Sequence, residues 1–259
     1  MIRAHEIDRY RRDGVVHPLP LLSKAEAVAC RKEFWGIEQA SGEPLLRFDW
    51  AHLFFAWAYD LSTHSDLLDT MEALLGPDIV IWGTLITHKP AGSDFHFAWH
   101  QDSVFCPFLD RARAATAWIA LTESTLMNGC LRVLPGSHRR ELAHAIVESD
   151  DNILRQKQRI AAPVDEVGCE DVVLRAGEMS VQDMALVHSS GANRSGAERV
   201  GFIVRFATPA IKSTSYPLIR AKGCRGCGHL TYWERPANKD LEQGLREREA
   251  LLATLNRDR

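Results

Sequence analysis

The chain has 259 residues, of which 46% are hydrophobic and 25% charged, with 31 basic against 34 acidic side chains and a formal net charge of −3. Those proportions are ordinary for a soluble globular protein, and the charge balance excludes a strongly basic nucleic-acid binder by bulk charge. The longest clearly apolar run, Leu53 to Tyr59, falls far short of the ~18 residues that a membrane span requires.

The opening segment, Ile2 to Asp13, is charged throughout and has no apolar stretch of the kind a secretory leader needs. Six cysteines are too sparse for a disulfide framework, so reduced thiols and a cytoplasmic location are expected. Ser23 with Glu26 three residues on forms a capping-box signature, which predicts a helix over about Lys24 to Gln39. A second helix is expected from about Trp50 to Tyr59, and a third from Ser65 to Leu75, stopped by Gly76-Pro77. The next stretch, Ile79 to Lys89, is rich in β-branched and aromatic residues and reads as a long strand. Shorter strands are expected at Thr116–Leu121, Leu131–Leu134, Val172–Leu174, Met179–Gln182, Leu186–Ser189 and Arg199–Ala207. The polar segment Glu148 to Val164 reads as a long insert or lid. A charged amphipathic helix from about Asp240 to Leu255 reads as an outer cover. No linker divides the chain, so one domain over 1–259 is expected: mainly β with α cladding, its β core at about 79–207.

Two metal-ligand readings compete in Phe95 to Asp102, FHFAWHQD. On a helix, His96 and His100 would share a face, but the glutamate that follows the first histidine of a zinc hydrolase motif is replaced by Phe97. On a strand, His100 and Asp102 would point the same way, because side chains alternate with period two. One further histidine would then complete a two-histidine, one-carboxylate triad, the ligand set of non-haem ferrous iron. His188 supplies a candidate, and Arg199 follows at the start of the next predicted strand. A turn through Gly191, Asn193 and Gly196 would pair the two strands as a hairpin, with His188 and Arg199 facing one cavity. A buried arginine there requires an anion, and its planar fork suits a carboxylate.

With these residues in view, the chain resembles the phytanoyl-CoA dioxygenase family of iron(II)- and 2-oxoglutarate-dependent oxygenases. Four segments carry the resemblance in order: YRRDGVVHPLPLLSKAEA, HKPAGSDFHFAWHQD, AWIALTESTLMNGCLRVLPGSH and HSSGANRSGAER. It implies a double-stranded β-helix (jelly-roll, cupin-like) core with flanking helices, and Fe(II), 2-oxoglutarate and O2 as cofactor and co-substrates. His100, Asp102 and His188 match the metal ligands, and Arg199 matches the arginine that holds the distal carboxylate of 2-oxoglutarate. Ser190 matches a hydroxyl that assists that arginine, Trp118 an aromatic lining the co-substrate pocket, and Lys89 a basic or polar residue nearby. The implied reaction is hydroxylation of a small or medium-sized metabolite with release of succinate and CO2. Related halogenases have a small residue where Asp102 stands, so its presence favours an oxygenase outcome. The partner expected is a small molecule, with neither nucleic acid nor membrane.

Two other classes fit a jelly roll: a cupin-like metal-dependent isomerase, which would leave Arg199 without a purpose, and a non-catalytic binding protein, against which the intact triad argues. Other residues read as structural. His138 fixes a turn, His88, His96 and His144 are ordinary polar positions, and Gln101 points away from its neighbours. Arg194 and Arg205 flank Arg199, and alternation puts Arg205 on its face, as a second anion contact or a paired edge charge. Cys224 and Cys227 form a lone CxxC that lacks the second pair of a structural zinc site. His229 and Cys169 could complete such a site, but two free thiols in a loop is the preferred reading.

Overall fold

The computed structural model describes residues 2–42, 45–106, 113–154, 157–211, 216–224, 228, 230–237 and 240–257. Helix α1 (Ala4–Asp13) leads into strand β1 (Val15–Pro20), and α2 (Lys24–Ser41) follows. The capping box forms as predicted: Ser23 Oγ accepts from Glu26 N at 3.2 Å, and Glu26 Oε2 accepts from Ser23 N at 2.7 Å. After β2 (Arg47–Asp49) the expected second helix is two, α3 (Ala51–Phe54) and α4 (Ala56–Ser62), broken where Phe55 adopts extended dihedrals. Helix α5 (Ser65–Leu75) ends at Gly76, as predicted.

The strands are β3 (Ile79–Lys89), β4 (Phe97–His100), β5 (Ala114–Ala120), β6 (Leu131–Val133), β7 (His144–Ile146), β8 (Gln158–Ile160), β9 (Glu170–Val172), β10 (Glu178–Asp183), β11 (His188–Ser190), β12 (Arg199–Ala207) and β13 (Ile219–Lys222), and α6 (Leu241–Arg257) follows. A seven-stranded sheet runs β1-β10-β5-β12-β3-β13, with β2 also on β3, and every pair is antiparallel. A four-stranded antiparallel sheet runs β4-β11-β6-β9. These are the two sheets of a double-stranded β-helix. The major sheet recruits β1, β2 and β13 from outside the predicted core.

All eleven residues of β3 are buried, which explains why it reads as a continuous apolar run. Its outer face packs on the helices: Phe34 and Ile37 of α2 and Leu67 and Met71 of α5 share a core with Ile81, Ile86, Phe202 and Phe206. A smaller core, including Val15, Trp118, Leu131, Val133 and Val172, lies between the sheets. Helix α6 covers the helical layer, with Arg248 stacked 3.7 Å from the centre of the Phe48 ring. The predicted hairpin does not form. β11 pairs with β4 and β6, whereas β12 pairs with β3 and β5, so the Gly191–Gly196 connection crosses from one sheet to the other. His188 and Arg199 still face one cavity because the sheets face each other. No described helix is long and apolar enough to cross a membrane.

Candidate active site

His100 ends β4, His188 opens β11, and the two are register partners in the minor sheet. Their ring centroids lie 4.0 Å apart. Asp102 is not on the strand, as alternation had suggested. The chain leaves β4 after His100, and Asp102 opens a 3-10 turn, Asp102–Phe105. That turn brings the carboxylate back, with Oδ1 3.7 Å from His100 Nε2. One donor atom from each of His100, Asp102 and His188 falls within 4.8 Å of the others, and all three residues are buried.

The tautomers are set by the backbone. His100 Nδ1 donates to Ala98 O at 2.7 Å, and His188 Nδ1 donates to Leu186 O at 2.9 Å. A carbonyl only accepts, so each Nδ1 carries the proton and each Nε2 keeps its lone pair for a metal. Burial and the adjacent His188 push His100 down to about 3, which keeps it neutral. Burial opposes ionisation of Asp102, but His188, Arg205 and His100 outweigh it and hold the carboxyl below its ordinary range. Thr116 Oγ1 donates to Asp102 Oδ2 at 3.3 Å. Two imidazoles that present Nε2 and one carboxylate, all lining the cavity, fit ferrous iron.

Gln101 faces away from the cavity, as expected, and clamps the ligand loop. Its Nε2 donates to Arg140 O at 2.8 Å and Ala185 O at 2.5 Å, and its Oε1 accepts from Leu142 N at 2.8 Å. Its backbone N–H donates to His144 Nε2 at 3.1 Å, so His144 braces the chain between His100 and Asp102. His138 sits in a 3-10 turn (Ser137–Arg139), as expected. Arg194 forms a surface ion pair with Asp94 at 2.5 Å.

The second feature of the site is a pair of basic residues. Lys89 and Arg199 are register partners on β3 and β12, and both are almost wholly buried. Ser190 Oγ accepts from Lys89 Nζ at 2.5 Å and from Arg199 Nη1 at 2.9 Å. Gly129 O accepts from Ser190 Oγ at 2.8 Å and from Arg199 Nη1, and Gly191 O accepts from Lys89. Arg199 Nε is buried without a partner among the described residues, and the guanidinium lies 5.2 Å from the Trp118 ring. Burial, and secondarily Arg199, pushes Lys89 down to about 5. A buried guanidinium with an unanswered donor, beside a second basic side chain, fits one carboxylate of a dianion such as 2-oxoglutarate. Both poles open on one cavity of about 380 Å³.

Several contributors escaped the sequence reading. Gly129 accepts through its carbonyl, and a Cβ there would strike the backbone of Gly191 and Ala192. Asn128, beside it in the NG-x-L segment, anchors that turn by donating to Glu123 O at 2.8 Å. A Cβ on Gly201 would overlap the Trp118 ring, so the bare backbone of β12 is what admits the indole. His88 is not an ordinary polar position. It is buried between Glu38, 2.6 Å from its Nδ1, and Glu198, 3.2 Å from its Nε2. The segment expected to be a lid contains β8, and its Leu154 lines the cavity. Cys224 is buried, whereas Cys227 and His229 lie outside the described residues.

Comparison with known proteins agrees with this geometry. A family model described as phytanoyl-CoA dioxygenase (PhyH) matches residues 10–201. The human peroxisomal phytanoyl-CoA dioxygenase is 27% identical over 150 residues, covering 56% of this chain and 44% of its own length. A protein of Stutzerimonas stutzeri, named a probable alpha-ketoglutarate-dependent hypophosphite dioxygenase, is 27% identical over 227 residues, covering 81% of this chain and 71% of its own. The chain thus spans about half the length of several curated relatives that it matches. A solved structure of a non-heme monooxygenase, ThoJ in its apo form, is 30% identical, with a TM-score of 0.79 and coverage of 98% of this chain and 99% of that one. From the family match and the triad it contains, the chain belongs to the phytanoyl-CoA dioxygenase family of the Fe(II)/2-oxoglutarate oxygenases.

Proposed function

We propose that the protein hydroxylates a small or medium-sized metabolite in an Fe(II)- and 2-oxoglutarate-dependent reaction that releases succinate and CO2. The observation that carries this reading is the pairing of two poles in one cavity: a neutral-imidazole triad, and an uncompensated Lys89–Arg199 pair. In this reading His100, Asp102 and His188 hold the iron. Arg199, seconded by Lys89 and Ser190, receives the distal carboxylate of 2-oxoglutarate, and Trp118 supports the guanidinium. When bound, the iron and its co-substrates supply the oxidising power. The protein's part is to orient these groups and to exclude water, with Leu154, between β7 and β8, lining the cavity. A cupin-like isomerase would use the triad but would leave the cationic pair without an anion.

Asp102 occupies the ligand position that a halide would need, which supports insertion of oxygen over chlorine. The test is to incubate the iron-loaded protein with 2-oxoglutarate, a metabolite pool and isotopically labelled O2 in chloride buffer, and to read the products by mass spectrometry. A product carrying labelled oxygen, formed together with succinate, is expected. A chlorinated product, or no iron-dependent product from any pool, would overturn the proposal.

A further inference from the structure

The cavity has a cation that the triad and the Lys89–Arg199 pair do not use. Arg205 lies on the same face of β12 as Arg199 and lines the cavity. Its register partners are Gly83 on β3 and Thr116 on β5, and Thr116 is the residue that touches Asp102. Ser190, two residues beyond His188, reaches Arg199 instead. The triad therefore sits between the two arginines, with Arg199 at the pole assigned to 2-oxoglutarate and Arg205 at the opposite one.

Arg205 has no ion-pair partner among the described residues, and its guanidinium lies 5.5 Å from the centre of the Trp82 ring. Thr116, opposite Arg205 on β5, places Asp102 close by, but in the oxygenase reading that carboxylate belongs to the metal. The loaded site can then be balanced group by group. The iron's two positive charges and that of Arg199 are met by Asp102 and by the dianionic co-substrate. Arg47 is met by Asp49 at 3.5 Å. Even with Lys89 neutral, one positive charge remains, and it is on Arg205. An unanswered cation in a partly desolvated cavity favours a ligand that brings the missing negative charge.

The local backbone is arranged around this pole. The register between β3 and β12 slips between Arg205 and Phe206, so Trp82 is the extra residue of a β-bulge. The bulge puts both Trp82 and Gly83 on the cavity side. Opposite Arg205, Gly83 presents no side chain. Trp50 lies beyond it, held at φ 69°, a left-handed conformation that a bulky residue rarely adopts. Its ring stacks on Tyr216 at 5.6 Å with 17° between planes. The pole is thus one guanidinium set between flat aromatic walls.

Resting on the oxygenase reading above, we propose that the primary substrate is a carboxylic acid whose carboxylate is received by Arg205, with its apolar or flat part lying between Trp82 and Trp50. The planar guanidinium fork matches a carboxylate in two parallel hydrogen bonds, and the tryptophan faces accept a ring or an unsaturated chain. Arg205 is then the residue that sets substrate class, as distinct from Arg199, which serves the co-substrate.

The test uses the Fe(II)- and 2-oxoglutarate-loaded enzyme under anaerobic conditions, with phenylacetate and indole-3-acetate as probes and the corresponding amides as neutral isosteres. Binding is read by saturation-transfer NMR and calorimetry. The acids are expected to bind at least about 10-fold more tightly than the amides, the scale of a charge-assisted hydrogen-bonded pair. Arg205→Gln should erase that preference while the affinity for 2-oxoglutarate stays within about twofold, and Arg205→Lys should keep part of it. Equal binding of acids and amides to the unmodified enzyme, or no binding of either acid, overturns the proposal without any variant. So does an Arg205→Gln protein that keeps the preference, or one that loses 2-oxoglutarate as Arg199→Gln does. If the unmodified protein fails to bind 2-oxoglutarate at all, it is the oxygenase reading that fails. An acid preference that depends on Arg205 in the metal-loaded protein would then still be seen.

Discussion

Lys89 and Arg199 face each other directly across β3 and β12, two buried basic side chains that share the Ser190 hydroxyl as acceptor, with no carboxylate paired to either among the described residues. Burying a guanidinium beside a second basic group is costly unless an anion completes the set. The arrangement therefore predicts separate effects on the two ligands. Arg199→Gln should weaken 2-oxoglutarate binding tens- to thousands-fold, the range expected when one partner of a buried charge pair is lost. Iron affinity should change little, because no triad atom bonds to Arg199. Anaerobic calorimetry with metal and 2-oxoglutarate in turn checks both halves.

Lys89 makes the same site sensitive to protons. Its buried ammonium is pushed down to about 5, so at pH 7 the side chain is neutral before the co-substrate arrives. A carboxylate placed beside it raises that pKa, so binding should take up a proton at neutral pH, and affinity should fall as pH rises. Calorimetric enthalpies measured in buffers of different ionisation enthalpy report the uptake directly. Lys89→Met should abolish it.

The Gly201–Trp118 contact predicts an outcome for a single methyl group. Gly201→Ala must displace the indole that lies against Arg199, at an overpacking cost of roughly 1–3 kcal/mol. The same substitution in a Trp118→Ala background should cost distinctly less, because the clash is gone. A double-mutant cycle by chemical denaturation measures the difference.

On the outer face of the same strands, His88 is held between Glu38 and Glu198, and Arg31 bridges both acids at 3.0 and 2.7 Å. Burial alone would lower the His88 pKa, but hydrogen bonds to Glu198 and Glu38 outweigh it and raise the value above 6.5. A histidine raised in the fold stabilises fully below its unfolded pKa and loses that contribution as pH rises through its folded pKa. Glu198, lowered to about 2 chiefly by Arg31 and His88, loses its contribution only in strong acid. Between about pH 6.5 and 9, the unmodified protein should therefore lose more thermal stability than His88→Gln does. Melting curves across that range test it.

The parts of the fold that were legible are those whose signals are local. β3 ends at Lys89 because Pro90 follows, α5 ends at Gly76-Pro77, and α2 starts at its own capping box. The clustering of His100, Asp102 and His188 was legible because these residues lie in short segments of strong family resemblance. What was not legible depends on distant partners. His88 looked unpartnered because Glu38 and Glu198 come from segments far away in sequence. The expected hairpin failed because β11 and β12 each found better neighbours in different sheets, a choice that turn chemistry does not encode. Asp102 reaches His100 and His188 by a turn, although the spacing suggested strand alternation. Lys89, at a strand end, carries no sign in the sequence that the Ser190–Gly191 backbone closes over it.

The central claim is that His100, Asp102 and His188 hold an iron that couples 2-oxoglutarate to oxidation. Its most direct test is succinate formation from 2-oxoglutarate by the purified protein, with and without Fe(II), alongside the metal content of His188→Ala. Iron-dependent succinate from the unmodified protein is predicted. His188→Ala should lose both that activity and stoichiometric iron, since in the proposed reading the Nε2 freed by the Leu186 hydrogen bond binds the metal. Succinate formed without iron, or a His188→Ala protein with unaltered iron content and turnover, would contradict the account.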